Sequence, residues 1–298
     1  MYNGVINIYK EKGFTSHDVV AKLRGILQQK KIGHTGTLDP DAVGVLPVCL
    51  GNATRLADML TDRDKEYEAV MRLGVTTDTQ DMSGTVLEEK EVQSSAEEVE
   101  EAVRFFVGGY EQVPPMYSAL KVNGKRLYEL ARQGREVERS SRSVKLYQIE
   151  ILSMELPEVS LRVSCSKGTY IRTLCHDIGI RLGCGAAMSA LKRTKSGCFT
   201  LDTAITLSQL EKYRDENKIE KVLIPVDAMF DELAQVHVPD IYSKTVQNGN
   251  LFSLHQIRER RMFGPDEEVR VYDSNGRFYG IYVFDREAGV FRPRKMFL

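Results

Sequence analysis

Residues 31–51 of the chain, KIGHTGTLDPDAVGVLPVCLG, combine a largely apolar composition with four glycines and two prolines, which exclude a long helix. Pro40 pushes the preceding Asp39 toward extended backbone, and the glycines permit turns or close approaches that other residues resist. The segment therefore predicts a rigid, mostly buried loop and strand that hold a carboxylate in an apolar frame. Such a carboxylate suits a nucleophile or general base, and it equally suits an Asx-turn that only caps its own backbone.

The chain around this segment alternates irregularly between strand and helix patterns. EYEAVMRLG (66–74) and VSLRVSC (159–165) both alternate apolar and polar residues as strands do. Thr15 is placed as the N-cap of an early helix, and a second helix follows the turn SKGT with Gly183 as its C-cap. This irregular order favours an α+β fold over a doubly wound parallel sheet.

The pattern changes to short strands from about residue 235. VRVYDSNGRFYGIYVFD (269–285) predicts a β-hairpin in which Asn275-Gly276 supplies the positive-φ turn. We therefore expect two domains, one over residues 1–234 and a small β domain over residues 235–298.

Charge is unevenly distributed, although the net charge is only -1. Residues 1–36 carry six Lys and Arg against two acids, residues 118–147 carry eight against three, and residues 88–101 carry seven acids against one lysine. Segregated basic segments can form one positive face that binds nucleic acid, or they can be ordinary solvated surface.

The cysteines and histidines show no ligand pattern. The five cysteines are widely spaced without a CxxC pair, which predicts a reduced, cytoplasmic protein without disulfides or structural zinc. The pair Asp39 and Asp41 could also form a DxD metal motif, a short and common pattern. No apolar run approaches the roughly 18–20 residues of a membrane span, and the first residues lack the features of a signal peptide.

Three further residues have both a functional and a structural interpretation. Arg172 falls in the first turn of the second helix, where the dipole disfavours a cation by up to about 1 kcal/mol. A bidentate pair with Asp39 would offset this and keep the carboxylate ionised at neutral pH, whereas a solvent-facing arginine is the alternative. Tyr67 is either core or an aromatic platform for a flipped base. His34 either contacts phosphate or base, or caps the glycine-rich loop.

GHTGTLDPDAVGVLPVCLG (33–51), KEYEAVMRLG (65–74) and CSKGTYIRTLCHDIG (165–179) resemble, in order and spacing, three signature segments of the TruB family of pseudouridine synthases. The resemblance covers roughly residues 1–230. The tail is similar to a PUA-type RNA-binding domain, on the looser basis of the hairpin and a basic end. The resemblance implies the pseudouridine synthase fold, with a mixed, mainly antiparallel central sheet and a small barrel-like β domain.

The resemblance also implies a reaction and the residues that perform it. Uridine is isomerised to pseudouridine at position 55 in the T loop of tRNA, without a cofactor or metal. Asp39 matches the catalytic carboxylate, and Tyr67 matches the ring that stacks on the uracil and takes the C5 proton. Arg172 matches the arginine that pairs with the carboxylate, and Tyr170 and Leu191 match residues that line the uracil pocket.

The remaining implied roles concern RNA. His34 matches the residue that splays the T loop, and residues of about 118–143 match a mobile basic insertion that closes over RNA. The basic side chains expected to contact RNA are Lys31, Lys121, Arg126 and Arg132.

The reaction breaks the N1–C1′ bond, turns the base and rejoins it through C5. The carboxylate could attack C1′, attack C6 of the ring or deprotonate the sugar at C2′, and the sequence leaves all three open. Extruding the base costs a few kcal/mol, which phosphate contacts would help to offset. A tRNA-binding or folding protein without catalysis, and a Mg²⁺-dependent glycosyl transferase, remain as alternatives. We expect a monomer without a protein partner.

Overall fold

The structure is a computed structural model that describes residues 1–122 and 124–298. The strands of the larger, N-terminal part are β1 (Gly4–Lys10), β2 (Ile32–His34), β3 (Val43–Leu50), β4 (Lys65–Leu73), β5 (Val75–Thr77), β6 (Val86–Glu89), β7 (Gly108–Gln112), β8 (Lys121–Val122), β9 (Lys125–Arg126), β10 (Arg142–Glu155), β11 (Glu158–Cys165), β12 (Ala186–Ser196) and β13 (Phe199–Thr200). Its helices are α1 (Ser16–Leu27), α2 (Ala57–Thr61), α3 (Ala96–Phe105), α4 (Leu127–Ala131), α5 (Ile171–Leu182) and α6 (Leu207–Asp215).

A nine-stranded sheet organises this part of the molecule. Its main path runs β1-β3-β12-β4-β11-β10-β7, with β2 paired to β3 and β13 paired to β12. The β3–β12 pair is parallel and the other pairs of the sheet are antiparallel. The predicted α+β class and the mixed, mainly antiparallel sheet are thus confirmed.

The local sequence signals explain the helices that flank the sheet. Thr15 caps α1 through a capping box, because its hydroxyl accepts from the Asp18 amide while the Asp18 carboxylate accepts from the Thr15 amide. Gly183 ends α5 with a φ of 76°, as its predicted C-cap role requires. Helices α3 and α5 cover the β4–β11–β12 region with one apolar core, and α1 and α6 cover β1 and β3 with another.

The C-terminal part is a curled five-stranded sheet. Its elements are β14 (Ala234–Val238), α7 (Ser243–Gln247), β15 (Phe252–Ser253), β16 (Glu268–Asp273), β17 (Phe278–Asp285) and β18 (Val290–Met296). The strand order is β14-β16-β17-β18-β15, and the predicted hairpin joins β16 to β17 with Gly276 at a φ of 77°. Ile281 and Phe297 of this part share a core with Val5 and Val45 of the larger part. The division into separate domains at 234/235 stays a prediction.

Among the helices of the described residues, none combines the length and the apolar character that a membrane span needs.

The structure explains why position 44 in the 31–51 segment is a glycine. It lies where β3 meets β12 in the parallel pair, with a φ of 106°. A Cβ atom there would lie 2.3 Å from the backbone oxygen of Arg193, a distance that real Cβ atoms do not reach. The glycine is therefore required both for the positive φ and for the approach of the two strands.

We expect Gly44→Ala to lower the free energy of unfolding by roughly 2–6 kcal/mol, because it adds backbone strain and a clash with a neighbouring strand. The matched control is Gly33→Ala, since a Cβ at Gly33 meets nothing within 4 Å and its φ is not in the positive range. That control should change stability by less than about 1 kcal/mol. Urea unfolding of the two variants tests the difference, and equal effects would contradict it.

Candidate active site

The loop that carries Asp39 is held by its backbone. Lys10 Nζ donates to the carbonyl oxygens of Pro40 at 3.0 Å and Ala42 at 2.5 Å, and the Leu38 amide donates to the Ser16 hydroxyl at 2.9 Å. These contacts leave the Asp39 side chain unused by the loop itself. Among the hydrogen bonds of the described residues, its carboxylate accepts from Arg172 and not from its own backbone, so the Asx-turn interpretation does not hold.

Lys10 itself is fully buried beneath this loop. Burial lowers its pKa to about 8, and the nearby charges of Asp39 and Asp41 oppose that change. The ammonium group thus fixes the loop from below while adding positive charge near the carboxylate.

Arg172 is the centre of the site. Its side chain is only 6% exposed, and Nη2 lies 3.3 Å from Oδ1 of Asp39. Nη1 lies 3.4 Å from Oδ2 of Asp81, and Nη2 also donates to the Tyr117 carbonyl at 2.7 Å. The predicted pairing with Asp39 is present, but the expectation of a bidentate pair is wrong, because the guanidinium divides its two amino groups between two carboxylates.

Asp81 is a site residue that the sequence did not indicate. It lies in the polar turn between β5 and β6, where its Oδ1 accepts from the Ser83 amide at 3.0 Å and the Thr79 hydroxyl at 2.8 Å. These bonds aim Oδ2 at Arg172. The local signal in the sequence was the polar run TTDTQD (76–81), which begins within β5.

Loss of hydration and the charge of Arg172 act in opposite directions on the pKa of Asp39. Loss of hydration is the larger effect and raises the pKa of Asp39, whereas the Arg172 charge lowers it and the Asp81 charge raises it again. The side chain is 36% exposed, so it faces an opening and not the core. Arg172 acts in the expected direction, but the net direction of the pKa is upward.

Tyr67 lies on β4, the strand between β11 and β12 in the sheet. It pairs across the sheet with Val163 on one side and Arg193 on the other, and it belongs to the same core cluster as Leu38. Burial raises the pKa of Tyr67, the Arg193 charge opposes this, and the Asp39 charge adds to it. The phenol is therefore neutral at ordinary pH and close enough to Asp39 to respond to its charge.

Tyr170 and Leu191 complete the same region. Tyr170 immediately precedes α5, and burial raises its pKa while the charges of Arg172 and Asp39 also act on it. Leu191 lies opposite Ala69 of β4 and packs on the cluster that contains Tyr67. The structure thus brings all five predicted pocket residues into one region.

Arg193 is a second residue that the sequence did not indicate. It is 1% exposed, and it donates from Nε to the Val45 carbonyl at 2.7 Å and from Nη2 to the Gly36 carbonyl at 3.3 Å. It thereby joins the Asp39 segment to the strand that faces Tyr67. The strand pairing that creates this contact is not visible in the sequence.

His34 lies at the end of β2, away from direct contact with the carboxylate. Burial lowers its pKa to about 4, and the neighbouring His17 and Arg193 add to this effect. Its Nδ1 accepts from the Gly36 amide at 3.3 Å, which leaves the proton on Nε2. His34 does cap the glycine-rich loop, and as a neutral ring it suits stacking or hydrogen bonding better than an ion pair with phosphate.

The four basic residues predicted to contact RNA are exposed or half-buried at the surface. Lys31 is exposed and donates to Asn52 at 3.0 Å. Lys121 belongs to the short β8–β9 hairpin, and the guanidinium groups of Arg126 and Arg132 lie 5.8 and 5.5 Å from the Tyr128 ring. None of the four has a described contact with Asp39 or Arg172. Among the described residues, no group of three or more His, Cys, Asp and Glu side chains is arranged to hold a metal ion.

Family models and individual relatives both match this chain to pseudouridine synthases. Residues 24–171 match the N-terminal domain of TruB family pseudouridylate synthases, and residues 172–231 match the C-terminal domain of tRNA pseudouridylate synthase B. The tRNA pseudouridine synthase B of Lachnoclostridium phytofermentans is 52% identical over 99% of this chain and 100% of that protein. The protein of the same name from Bacillus pumilus is 45% identical over 99% of this chain and 98% of that one.

Solved structures of similar proteins match this chain over nearly its full length. A chain in a Cbf5-Nop10-Gar1 complex is 30% identical with a TM-score of 0.71, covering 99% of this chain and 85% of that one. A chain in an H/ACA RNP bound to a substrate RNA containing 2′-deoxyuridine is 28% identical with the same TM-score and the same coverage.

We expect Arg172→Gln to raise the pKa of Asp39 further, because it removes the positive charge that lowers it. The carboxyl group would then ionise at a higher pH than in the unaltered protein. A carbon-13 NMR titration of the Asp39 carboxyl measures this. Arg162→Gln is the matched control, since Arg162 pairs with Glu68 and Glu150 and not with Asp39. An Asp39 pKa that stays unchanged or falls in Arg172→Gln would contradict the electrostatic account.

Proposed function

This chain belongs to the TruB family of pseudouridylate synthases, and from that membership we propose the position that it modifies and the roles of its pocket residues. It is a tRNA pseudouridine synthase, an isomerase that converts uridine to pseudouridine in tRNA. The position we propose is uridine 55 in the T loop. The observation that most supports the proposed roles is the 3.3 Å contact between Arg172 and Asp39, whose carboxylate charge also acts on the pKa of Tyr67 and of Tyr170.

In this proposal, Asp39 is the catalytic carboxylate. It attacks C1′ of the target nucleotide or C6 of the uracil ring, or it removes the proton from C2′, and each of these steps needs the ionised form. Arg172 favours that form and fixes one carboxylate oxygen, which leaves the other for the substrate. Asp81 holds Arg172 from its other side, so we assign it a positioning role.

Tyr67 receives the extruded uracil in this proposal. Its neutral phenol offers a flat face for stacking beside the carboxylate, as base-flipping enzymes require. Burial keeps this phenol neutral, and a neutral phenol does not take up the C5 proton, so that step requires prior ionisation of Tyr67, which the charge of Arg193 favours. We propose that Tyr170 and Leu191 form the other walls of the uracil pocket.

We propose that RNA is bound by the surface around this pocket. Neutral His34 enters the T loop, where its Nε2 proton is available to a base. Lys31 lies near the pocket loop, and the insertion over residues 118–143 closes on the RNA backbone. Contacts from Lys121, Arg126 and Arg132 to phosphates would help to offset the cost of extruding the base.

The organisation of the rest of the chain is also a proposal. We assign residues 1–234 to the catalytic domain and residues 235–298 to a PUA-type RNA-binding domain, on the basis of the curled sheet and exposed arginines on β18. Arg292 and Arg294 already pair with Asp285 and Glu268, so phosphates would have to compete with these acids. We propose a monomer that acts on tRNA in the cytoplasm.

We expect Asp39→Asn to abolish pseudouridine formation while tRNA binding is retained, because the amide cannot act as a nucleophile or base. Unmodified tRNA is incubated with enzyme, tritium release from C5 gives the rate, and primer extension after carbodiimide treatment maps the product. The unaltered enzyme should give one new pseudouridine, at position 55.

Asp41→Asn is the matched control for this experiment, since Asp41 is an exposed aspartate two residues further along the same loop. It should keep a rate within a few-fold of the unaltered enzyme. Turnover by Asp39→Asn at a normal rate would refute the assignment of the carboxylate. A product at another position would refute the T-loop proposal, and folding assistance without any product would favour a tRNA-folding protein.

We expect replacement of Lys121, Arg126 and Arg132 by alanine to raise KM for tRNA with little change in kcat. The salt dependence of tRNA binding should also become shallower, by about one in slope for each phosphate that the variant no longer neutralises. The control replaces Lys90 and Arg104, which pair with Glu88 and Glu100 in the acidic part of the chain. An unchanged KM and salt slope in the triple variant would show that these side chains do not contact phosphate.

A further inference from the structure

Gln112 is the last residue of β7, and its side chain is completely buried, which is rare for a primary amide. Both ends of that amide bond to one residue. Oε1 accepts from the Tyr170 amide at 2.8 Å, and Nε2 donates to the Tyr170 carbonyl at 3.0 Å. The side chain therefore pairs with the backbone of Tyr170 as a neighbouring β-strand would.

This contact lies at the start of α5, where both Tyr170 and Arg172 are found. Tyr170 occupies the N-cap position of α5, but its own side chain makes no capping hydrogen bond. The helix thus begins where β7 fixes the backbone from outside. Two residues earlier on the same strand, the Tyr110 hydroxyl donates to the Asp177 carboxylate, so β7 holds α5 at its start and at its middle.

Gln112 also lies where the 118–143 insertion leaves the sheet. It pairs with Arg142 of β10, the strand at which the insertion returns. Five residues beyond Gln112, the Tyr117 carbonyl accepts from Arg172 at 2.7 Å. The chain segment that leads into the insertion therefore contacts the first turn of α5 at two points, first through Gln112 and then through Tyr117.

We propose that Gln112 is a positioning residue for pseudouridine formation. Its amide fixes the backbone of Tyr170 and the first turn of α5, and through that turn it fixes Arg172 against Asp39. The same amide ties the base of the insertion to the wall of the uracil pocket. This inference rests on the roles proposed above for Tyr170 and Arg172.

The chemistry of the contact allows a specific test. Leucine at position 112 would keep most of the volume but leave the Tyr170 amide without a partner and the Tyr170 carbonyl with only the Leu174 amide as its donor. A protonated carboxyl group has one acceptor and one donor, as the amide has, so glutamate can reproduce both bonds while it is protonated. Once ionised it cannot donate, and it sets a negative oxygen against the Tyr170 carbonyl. Gln112→Glu should therefore be functional or impaired according to pH.

Other titratable and charged groups surround this position: Tyr110 on β7, Arg142 on β10, and Arg172 and Asp177 on α5. The unaltered enzyme contains the same groups. Dividing the rate of each variant by that of the unaltered enzyme at the same pH therefore isolates the introduced carboxyl group. Burial favours its protonated form, whereas the cross-strand Arg142 favours the ionised form.

The experiment measures kcat and KM for pseudouridine formation in tRNA from about pH 5 to about pH 9, a range that includes the raised pKa of a buried glutamate. Gln112→Leu should lower kcat by about 10- to 100-fold at every pH, with a smaller change in KM, because misplacing a pocket by about 1 Å has that effect. Gln112→Glu should approach the unaltered rate at acidic pH and lose activity as pH rises. The control Gln93→Glu makes the same change at an exposed site in the acidic segment and should show neither effect.

The thermal unfolding temperature of each variant, measured at each pH, shows whether a loss of activity comes from a misplaced residue or from unfolding of the protein. If Gln112→Leu does not fold, the acidic end of the Gln112→Glu profile still tests the proposal. A Gln112→Glu profile parallel to that of the unaltered enzyme, or one that changes only where the variant unfolds, would overturn it. The proposed function is tested separately, because pseudouridine formation by the unaltered enzyme and its loss in Asp39→Asn do not depend on Gln112.

Discussion

The site depends on the ion pairs that the buried guanidinium of Arg172 forms with Asp39 and Asp81. A buried cation without partners costs several kcal/mol, so the fold has to supply negative groups around it. It does so with Asp39, Asp81 and the Tyr117 carbonyl, which belong to three segments far apart in the sequence. Asp39 alone is 133 residues from Arg172 along the chain. One charge thereby joins the glycine-rich loop, the β5–β6 turn and the start of the insertion to α5.

The electrostatics of the pocket follow from removing water around several ionisable groups at once. Loss of hydration raises the pKa of Asp39 and Tyr67 and lowers that of Lys10 and His34, so each group shifts toward its neutral form. Arg172 opposes this shift for Asp39, the group whose charge the proposed reaction needs. In the proposed reaction, Tyr67 holds the base as a neutral ring and Asp39 acts on the nucleotide as an anion. The same dry surroundings strengthen the charge interaction between Arg172 and Asp39.

Local signals predicted the elements of this fold well, because periodicity and caps depend on neighbouring residues. The N-cap at Thr15, the alternation in β4 and the C-cap at Gly183 are confirmed in this way. The Arg172–Asp39 pair could be predicted because a cation in the first turn of a helix needs a partner, although the match of Tyr170 and Leu191 to a pocket came only from the family resemblance. Asp81, Arg193 and Gln112 could not be predicted, because their partners lie in distant parts of the chain that only the folded structure brings together. The bidentate geometry was wrong for the same reason, since it overlooked the second carboxylate.

The central claim is that Asp39, Tyr67 and Arg172 surround space for one uridine turned out of its loop. A crystal structure of the enzyme with a T-arm RNA tests this most directly. The account predicts a single extruded uracil with its face on the Tyr67 ring, its sugar beside the Asp39 carboxylate, and Arg172 still bonded to that carboxylate. A bound T arm whose uridine stays stacked in the loop, or whose extruded base lies away from Asp39, would contradict it.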